Sequence, residues 1–167
     1  FGVDLSPRKD FTTSPPTIEA MIKDVEPGKS VQYNITVKNT GRAFGAQAID
    51  VIYLKVDGVP EGWKAKLDTP PDMGNPNPDY VRLAVDAMTN ITLTVTAPWE
   101  GEIGDLAQIN VTGNSSNDPW AMDTIMSITM MNIYLDFELD YTKTKDESPG
   151  SPYEGYKWDK ISPGAEG

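Results

Sequence analysis

A period of two runs through most of this chain. In Val31-Gln32-Tyr33-Asn34-Ile35-Thr36-Val37-Lys38 apolar and polar residues alternate without a break, the pattern of a half-buried antiparallel strand. Asn39-Thr40-Gly41 ends it with turn chemistry. A longer strand is predicted around Ala46 to Val56, with Ile52, Leu54 and Val56 on one face. After the turn cluster Asp57 to Gly62, Trp63 to Leu67 alternates again. Val81, Leu83 and Val85 mark a short strand, and Asn90 to Thr96 is the cleanest alternation of all. Ala107 to Thr112 is a further strand, stopped at Gly113-Asn114, and a Met- and Ile-rich run follows from Thr124 to Leu139. No segment sustains a helical period. About seven short strands separated by turn residues predict an all-β, antiparallel β-sandwich of Greek-key type. Each core strand would bury three or four Val, Ile or Leu side chains, at roughly 1.5–3 kcal/mol apiece.

The same alternation appears twice at a fixed phase. Phe1-Gly2-Val3-Asp4 is matched by Phe137-Glu138-Leu139-Asp140, and Lys9-Asp10 by Lys145-Asp146. Pro27-Gly28 is matched by Pro163-Gly164 at the same offset of 136 residues, and seven of the 31 aligned pairs are identical. This reads as one module of a tandem array with the next just begun. The expected organisation is a sandwich over 1–131 and the first strand and loop of a following repeat over 132–167. The alternative for the second segment is a poorly ordered tail, folded back through Tyr153, Tyr156 and Trp158. Residues 8–17 and 142–167 are rich in Pro, Ser, Lys, Asp and Gly and read as loop. No Gly/Ser or Pro-rich linker divides the two copies, so a stiff junction is expected.

Composition narrows the functions open to such a module. The chain has 167 residues and a mean hydropathy of -0.42, and no run approaches the length of a membrane span. A net charge of -11 argues against nucleic acid as a partner, because phosphate binding needs clustered Lys and Arg. Cysteine and histidine are both absent. That removes disulfides, thiolate metal sites, the Ser-His-Asp triad and the usual zinc and iron ligands. The chain carries 25 carboxylates, but none lies in a recognisable catalytic motif, so no enzyme is expected. No signal-peptide pattern is present, and a start at Phe1 rather than Met fits a trimmed precursor or an excised piece.

Several motifs occur in order: Val25-Glu26-Pro27-Gly28-Lys29-Ser30, Tyr33 to Gly41 with Val37-Lys38-Asn39-Thr40-Gly41, Val59-Pro60-Glu61-Gly62-Trp63, and Leu93 to Pro98. Over about residues 25–131 the chain resembles the immunoglobulin-like domain associated with the carbohydrate-binding module of alpha-galactosidases. It is also similar to adhesion-related repeats of prokaryotic surface proteins. It departs from that pattern at Asp86-Ala87-Met88-Thr89-Asn90, where a Pro-Gly turn is expected, and in the inserted loop 68–79. The resemblance implies an immunoglobulin-like sandwich, an extracellular or cell-surface location and no catalytic residues.

Four features could carry chemistry. Asn34, Asn90, Asn110 and Asn114 each begin an N-x-[ST] sequon, with Asn34, Asn90 and Asn110 expected on solvent faces. Alternating Thr on strands produces the same triplets without glycosylation. Asp72, Asn75, Asn77 and Asp79 crowd one loop with oxygens of the kind calcium takes, at a spacing unlike an EF-hand, and Asn-Pro and Asp-Pro are ordinary turn formers. Glu100, Glu102 and Asp105 form a second acidic loop. Calcium aside, no cofactor is expected. Trp63, Trp99 and Trp120, with Tyr80, lie in or beside loops and are candidates for stacking on sugars, although Trp63 after Pro-Glu-Gly is expected to cover one end of the core. Met122, Met126, Met130 and Met131 are read as core filling. The sequence therefore points to a spacer or adhesion repeat whose partners are neighbouring domains of its own chain, with surface glycans or other surface proteins beyond them. The alternative is a carbohydrate-binding accessory module of a glycoside hydrolase.

Overall fold

A computed structural model describes residues 1–42 and 49–133, together with the backbone of two short strands further on. The chain divides into two compact units, Phe1–Asn132 and Ile133–Gly167. In the second unit Lys143–Thr144 pairs antiparallel with Lys157–Trp158, so part of a segment read as loop is a strand pair. The recurrence of the Phe1 strand at Phe137 lies outside the described residues, as do Tyr153 and Tyr156.

The first unit is a β-sandwich. Its strands are β1 (Val3–Pro7), β2 (Lys9–Asp10), β3 (Thr17–Ile18), β4 (Ile22–Val25), β5 (Ser30–Asn39), β6 (Ile49–Asp57), β7 (Lys64–Asp68), β8 (Tyr80–Ala84), β9 (Met88–Thr96), β10 (Leu106–Ser115) and β11 (Met122–Met131). One sheet has four strands in the order β1-β5-β9-β7, and the other has five in the order β4-β11-β10-β6-β8. No helix occurs among the described residues. The out-of-sequence neighbours are Greek-key connections, and the architecture is immunoglobulin-like.

Alternation builds the core as the residues require. Tyr33, Ile35 and Val37 of β5 and Ile91, Leu93 and Val95 of β9 face inward. Ile52 and Leu54 of β6, and Ile109 and Val111 of β10, oppose them from the five-stranded sheet, and all are buried. Trp63 joins this cluster and is buried, as expected of a residue that covers one end.

The structure departs from the sequence reading in four places. β10 does not stop at Gly113 but continues to Ser115. Gly113 faces inward, where a Cβ would lie 2.8 Å from Leu5 Cδ1, so the glycine makes room for β1 rather than ending the strand. Residues 8–17 are not wholly loop, since Lys9–Asp10 pairs with Thr17–Ile18. The short β4, unmarked in the sequence, pairs with β11 in parallel. The N-terminal segment thus lies on both sheets, β1 on one and β4 on the other, and the Leu5 amide donates to Asp123 Oδ2 at 2.8 Å across the gap. Lastly, Met122, Met126 and Met130 are not core residues. They are exposed, and only Met131 of the group is buried.

That last difference comes from β11 as a whole. Its inward positions include Ser127 and Thr129, both buried, while its outward positions carry methionine and isoleucine. The polar side chains can face inward because each has a partner. Ser127 Oγ donates to the Ile109 carbonyl at 3.3 Å, and Thr129 Oγ1 meets Tyr33 Oη at 2.7 Å.

Strand directions give the sandwich two poles. β1, β9 and β11 begin at one pole, where β5 and β10 end. β9 and β11 end at the other, where β5, β7 and β10 begin. The chain therefore enters the sandwich at Val3 and leaves it at Met131 at opposite poles.

Candidate functional site

The outer face of the four-stranded sheet is polar. Register places Ser30, Thr96 and Lys64 in one row across β5, β9 and β7. Gln32, Thr94 and Lys66 form the next row, followed by Asn34, Thr92 and Asp68. Two sequons meet here in reverse. Thr92 Oγ1 donates to Asn34 Oδ1 at 3.2 Å, and Thr36 Oγ1 donates to Asn90 Oδ1 at 2.9 Å. Asn34 and Asn90 thus act as rungs of a cross-strand ladder, a structural reason for the triplet. Asn110 and Asn114 lie on the outward side of β10, Asn110 half-buried and Asn114 exposed.

The outer face of the five-stranded sheet is the opposite in character. Leu106 pairs with Met130, Asn110 with Met126, and Ile128 with both Gln108 and Ile22. Ile22, Leu106, Met126 and Met130 are all exposed, so an apolar patch spans β4, β11 and β10.

The acidic loops are held by their own side chains. Asp72 and Asn75 exchange two backbone hydrogen bonds around Met73 and Gly74, both at positive φ, a tight turn of the hairpin kind. Asn75 Oδ1 caps the Asn77 amide at 3.1 Å. Asn77 Oδ1 accepts from the Thr69 amide at 2.7 Å, and its Nδ2 donates to the Leu67 carbonyl. Asp72 instead faces Arg82 at 3.9 Å, and its hydrogen bonding raises the pKa of the Tyr80 phenol, with burial adding to it. Asp79 is exposed, and its carbonyl accepts from the Leu54 amide. Of the loop oxygens that suggested calcium, those of Asn75 and Asn77 are taken up in turn-forming bonds, while the Asp72 carboxylate faces Arg82. In the second loop Asp105 Oδ2 caps the Glu102 amide at 2.8 Å, while Glu100 is exposed. Among the described residues no group of three or more acidic side chains is placed to hold a metal ion.

The tryptophans separate. Trp63 is 8% exposed, which leaves no face for a sugar, so that candidacy is withdrawn. Trp99 and Trp120 are 77% and 90% exposed. They lie in the connections before and after β10, hence at opposite poles, and cannot form one platform. Trp99 borders a cleft of about 380 Å³ with Gly28, Gly62, Lys64, Thr96 and Glu100. The sequence singled out Trp99 and Glu100 but not the cleft, because its walls come from three separate turns.

Fold and surfaces together define the class, an immunoglobulin-like β-sandwich. No family model matches the sequence, and no curated protein matches it. Among solved structures, the chain is similar to a family 123 glycoside hydrolase from Clostridium perfringens at a TM-score of 0.51 and 6% identity, covering 81% of this chain and 28% of that one. It is also similar to a FixG-related protein from Vibrio parahaemolyticus, at a TM-score of 0.48 and 11% identity over 80% of this chain and 99% of that one. A third is the ASH / PapD-like domain of human CEP192, at 0.42 and 12% over 78% and 84%. At these identities the likeness concerns the fold.

Proposed function

We propose that this chain is a non-catalytic module of an extracellular, tandemly repeated surface or secreted protein, serving as a spacer with an adhesive face. One observation carries the reading: the chain enters and leaves the sandwich at opposite poles. The match of Phe137-Glu138-Leu139-Asp140 to Phe1-Gly2-Val3-Asp4 supports it. A module whose ends share a pole folds an array back on itself. One whose ends are opposed adds its own length at every repeat, and the ten residues of β11 correspond to about 33 Å. The intervening residues, Ile133 to Asp136, contain no glycine or proline, which favours a short and stiff connection. The net charge of -11 adds solubility and repulsion between copies.

The patch of Ile22, Leu106, Met126 and Met130 supports the adhesive part. Methionine side chains are flexible and polarisable and suit contact with varied protein surfaces. Neighbouring domains and other surface proteins are the partners this implies. The resemblance to adhesion-related repeats agrees with that use.

Small-angle scattering of the natural protein carrying successive copies tests the spacer. The maximum dimension should grow by roughly 30–40 Å for each added module, the length of one long strand with its turns. A maximum dimension that stays constant as copies are added rejects it.

A second reading is an accessory module beside a glycoside hydrolase, in line with the likeness to part of the family 123 enzyme. The exposed Trp99 favours it. A glycosidase domain in the same polypeptide would decide for it.

A further inference from the structure

The cleft at Trp99 has the makings of a ligand site. Trp99 follows Pro98 at the end of β9, and the backbone around it is tied down. The Ala97 amide donates to the Lys29 carbonyl at 3.0 Å, and the Gly28 amide donates to the Pro98 carbonyl at 3.2 Å. One face of the indole rests on Gly28. A Cβ there would lie 2.4 Å from Cδ2 and Cε2 of the ring, and φ at Gly28 is +72°. Glycine is thus required twice over, for the backbone and for the contact. With one face seated, 77% of the residue still meets solvent.

An aromatic ring held in place with one face open presents a flat apolar surface to a ligand. Its surroundings say what kind of molecule fits. The cleft of about 380 Å³ beside it is in the range of small-molecule sites. Lys64 and Glu100 line it, and among the described residues neither has an ion-pair partner. Thr96 lines it too, with its Oγ1 2.7 Å from Ser30 Oγ. A free ammonium, a free carboxylate and a hydroxyl pair supply both donors and acceptors at the rim of one apolar plane.

We propose that Trp99, Lys64, Glu100 and Thr96 bind a pyranose ring of a neutral glycan. The C–H face of the sugar stacks on the open indole face, and its hydroxyls bond Lys64, Glu100 and the Thr96 hydroxyl. The rows Gln32-Thr94-Lys66 and Asn34-Thr92-Asp68 continue from Thr96 along the same sheet face, a track for the next units of the chain. The site does not rest on the array reading: a spacer with or without a ligand has the same length.

Isothermal titration of the whole chain with cello-, manno-, galacto- and chito-oligosaccharides tests the site. At least one series should bind saturably, with weak affinity of order 10⁻⁴–10⁻³ M. Trp99→Ala should weaken that binding at least ~10-fold, a loss of about 1.4 kcal/mol, and Gly28→Ala should do likewise by displacing the ring. Trp120→Ala should leave it unchanged. Circular dichroism melting confirms that each variant is folded, and Trp99→Phe, which keeps an aromatic face, should retain part of the affinity. No binding to any series overturns the proposal, and so does binding that survives Trp99→Ala.

Discussion

Tyr33 Oη sits 2.7 Å from Thr129 Oγ1 and joins the two sheets through the buried core. The phenol donates to the Ile128 carbonyl at 2.8 Å, so its single proton is committed there and Thr129 must donate to Tyr33. The pair explains how a threonine can face inward on β11.

Replacing Tyr33 by Phe removes the bridge while keeping the ring. It leaves Thr129 Oγ1 and the Ile128 carbonyl short of a partner, at a cost of about 1–3 kcal/mol. Burial, the largest cause, pushes the Tyr33 phenol above its usual pKa, against the lowering effect of its bond to Thr129. A pKa raised in the folded state gives stability that is complete below the unfolded value, about 10, and lost as pH rises through the folded value. Urea unfolding at pH 7 and above pH 10 should show the wild type losing stability at alkaline pH and Tyr33→Phe losing less. Equal alkaline losses would remove Tyr33 as the cause.

Trp63 and Trp120 should separate sharply. Trp63→Ala opens a cavity at the end of the core and should cost about 3–5 kcal/mol, whereas Trp120→Ala should stay within about 0.5 kcal/mol. Chemical denaturation of both variants checks this, and a mild Trp63→Ala would mean that the residue is not a core member.

The methionines divide in the same way. Met131→Ala should cost about 2–5 kcal/mol. Met126→Ser and Met130→Ser should leave the unfolding midpoint almost unchanged and reduce adsorption to apolar surfaces. Light scattering with a hydrophobic-dye assay measures the second effect, and unchanged dye binding would count against an adhesive face.

At acid pH the salt bridge between Lys23 and Glu19 should fail. Desolvation raises the Glu19 pKa, but the hydrogen bond and charge of Lys23, with Asn34 adding, outweigh it and hold the carboxyl below the usual carboxylate range. The depressed pKa contributes stability above the unfolded value, near 4.3, which is lost as pH falls through the folded one. The pair is partly solvated, so the effect is at most about 1 kcal/mol. Glu19→Gln should flatten the decline in melting temperature below pH 5, and an unaltered acid limb would dismiss the pair.

The strands with regular alternation were legible within a residue or two. Val31 to Lys38 became Ser30–Asn39, and Asn90 to Thr96 became Met88–Thr96. β4 was not legible, because four residues of Ile-Lys-Asp-Val carry no pattern and its partner β11 is a hundred residues away. The Trp99 cleft was half legible: the indole was a candidate, but Gly28 and Lys64 come from distant turns.

Alternation is a local property. Side chains on a strand point to opposite sides whatever the strand pairs with, so residue order alone was enough for an all-β chain with its turns and most of its strand ends. Which side faces inward is a property of pairing. On β11 Met122, Met126 and Met130 share one parity, and Ser127, Thr129 and Met131 the other. Residue order favours burying the three methionines of the first set. Pairing with β10 and the partner at Tyr33 reversed that choice, because a satisfied hydroxyl is tolerated in the core. The same packing placed Trp63 inside and Trp99 outside, although both follow proline-containing turns at one pole.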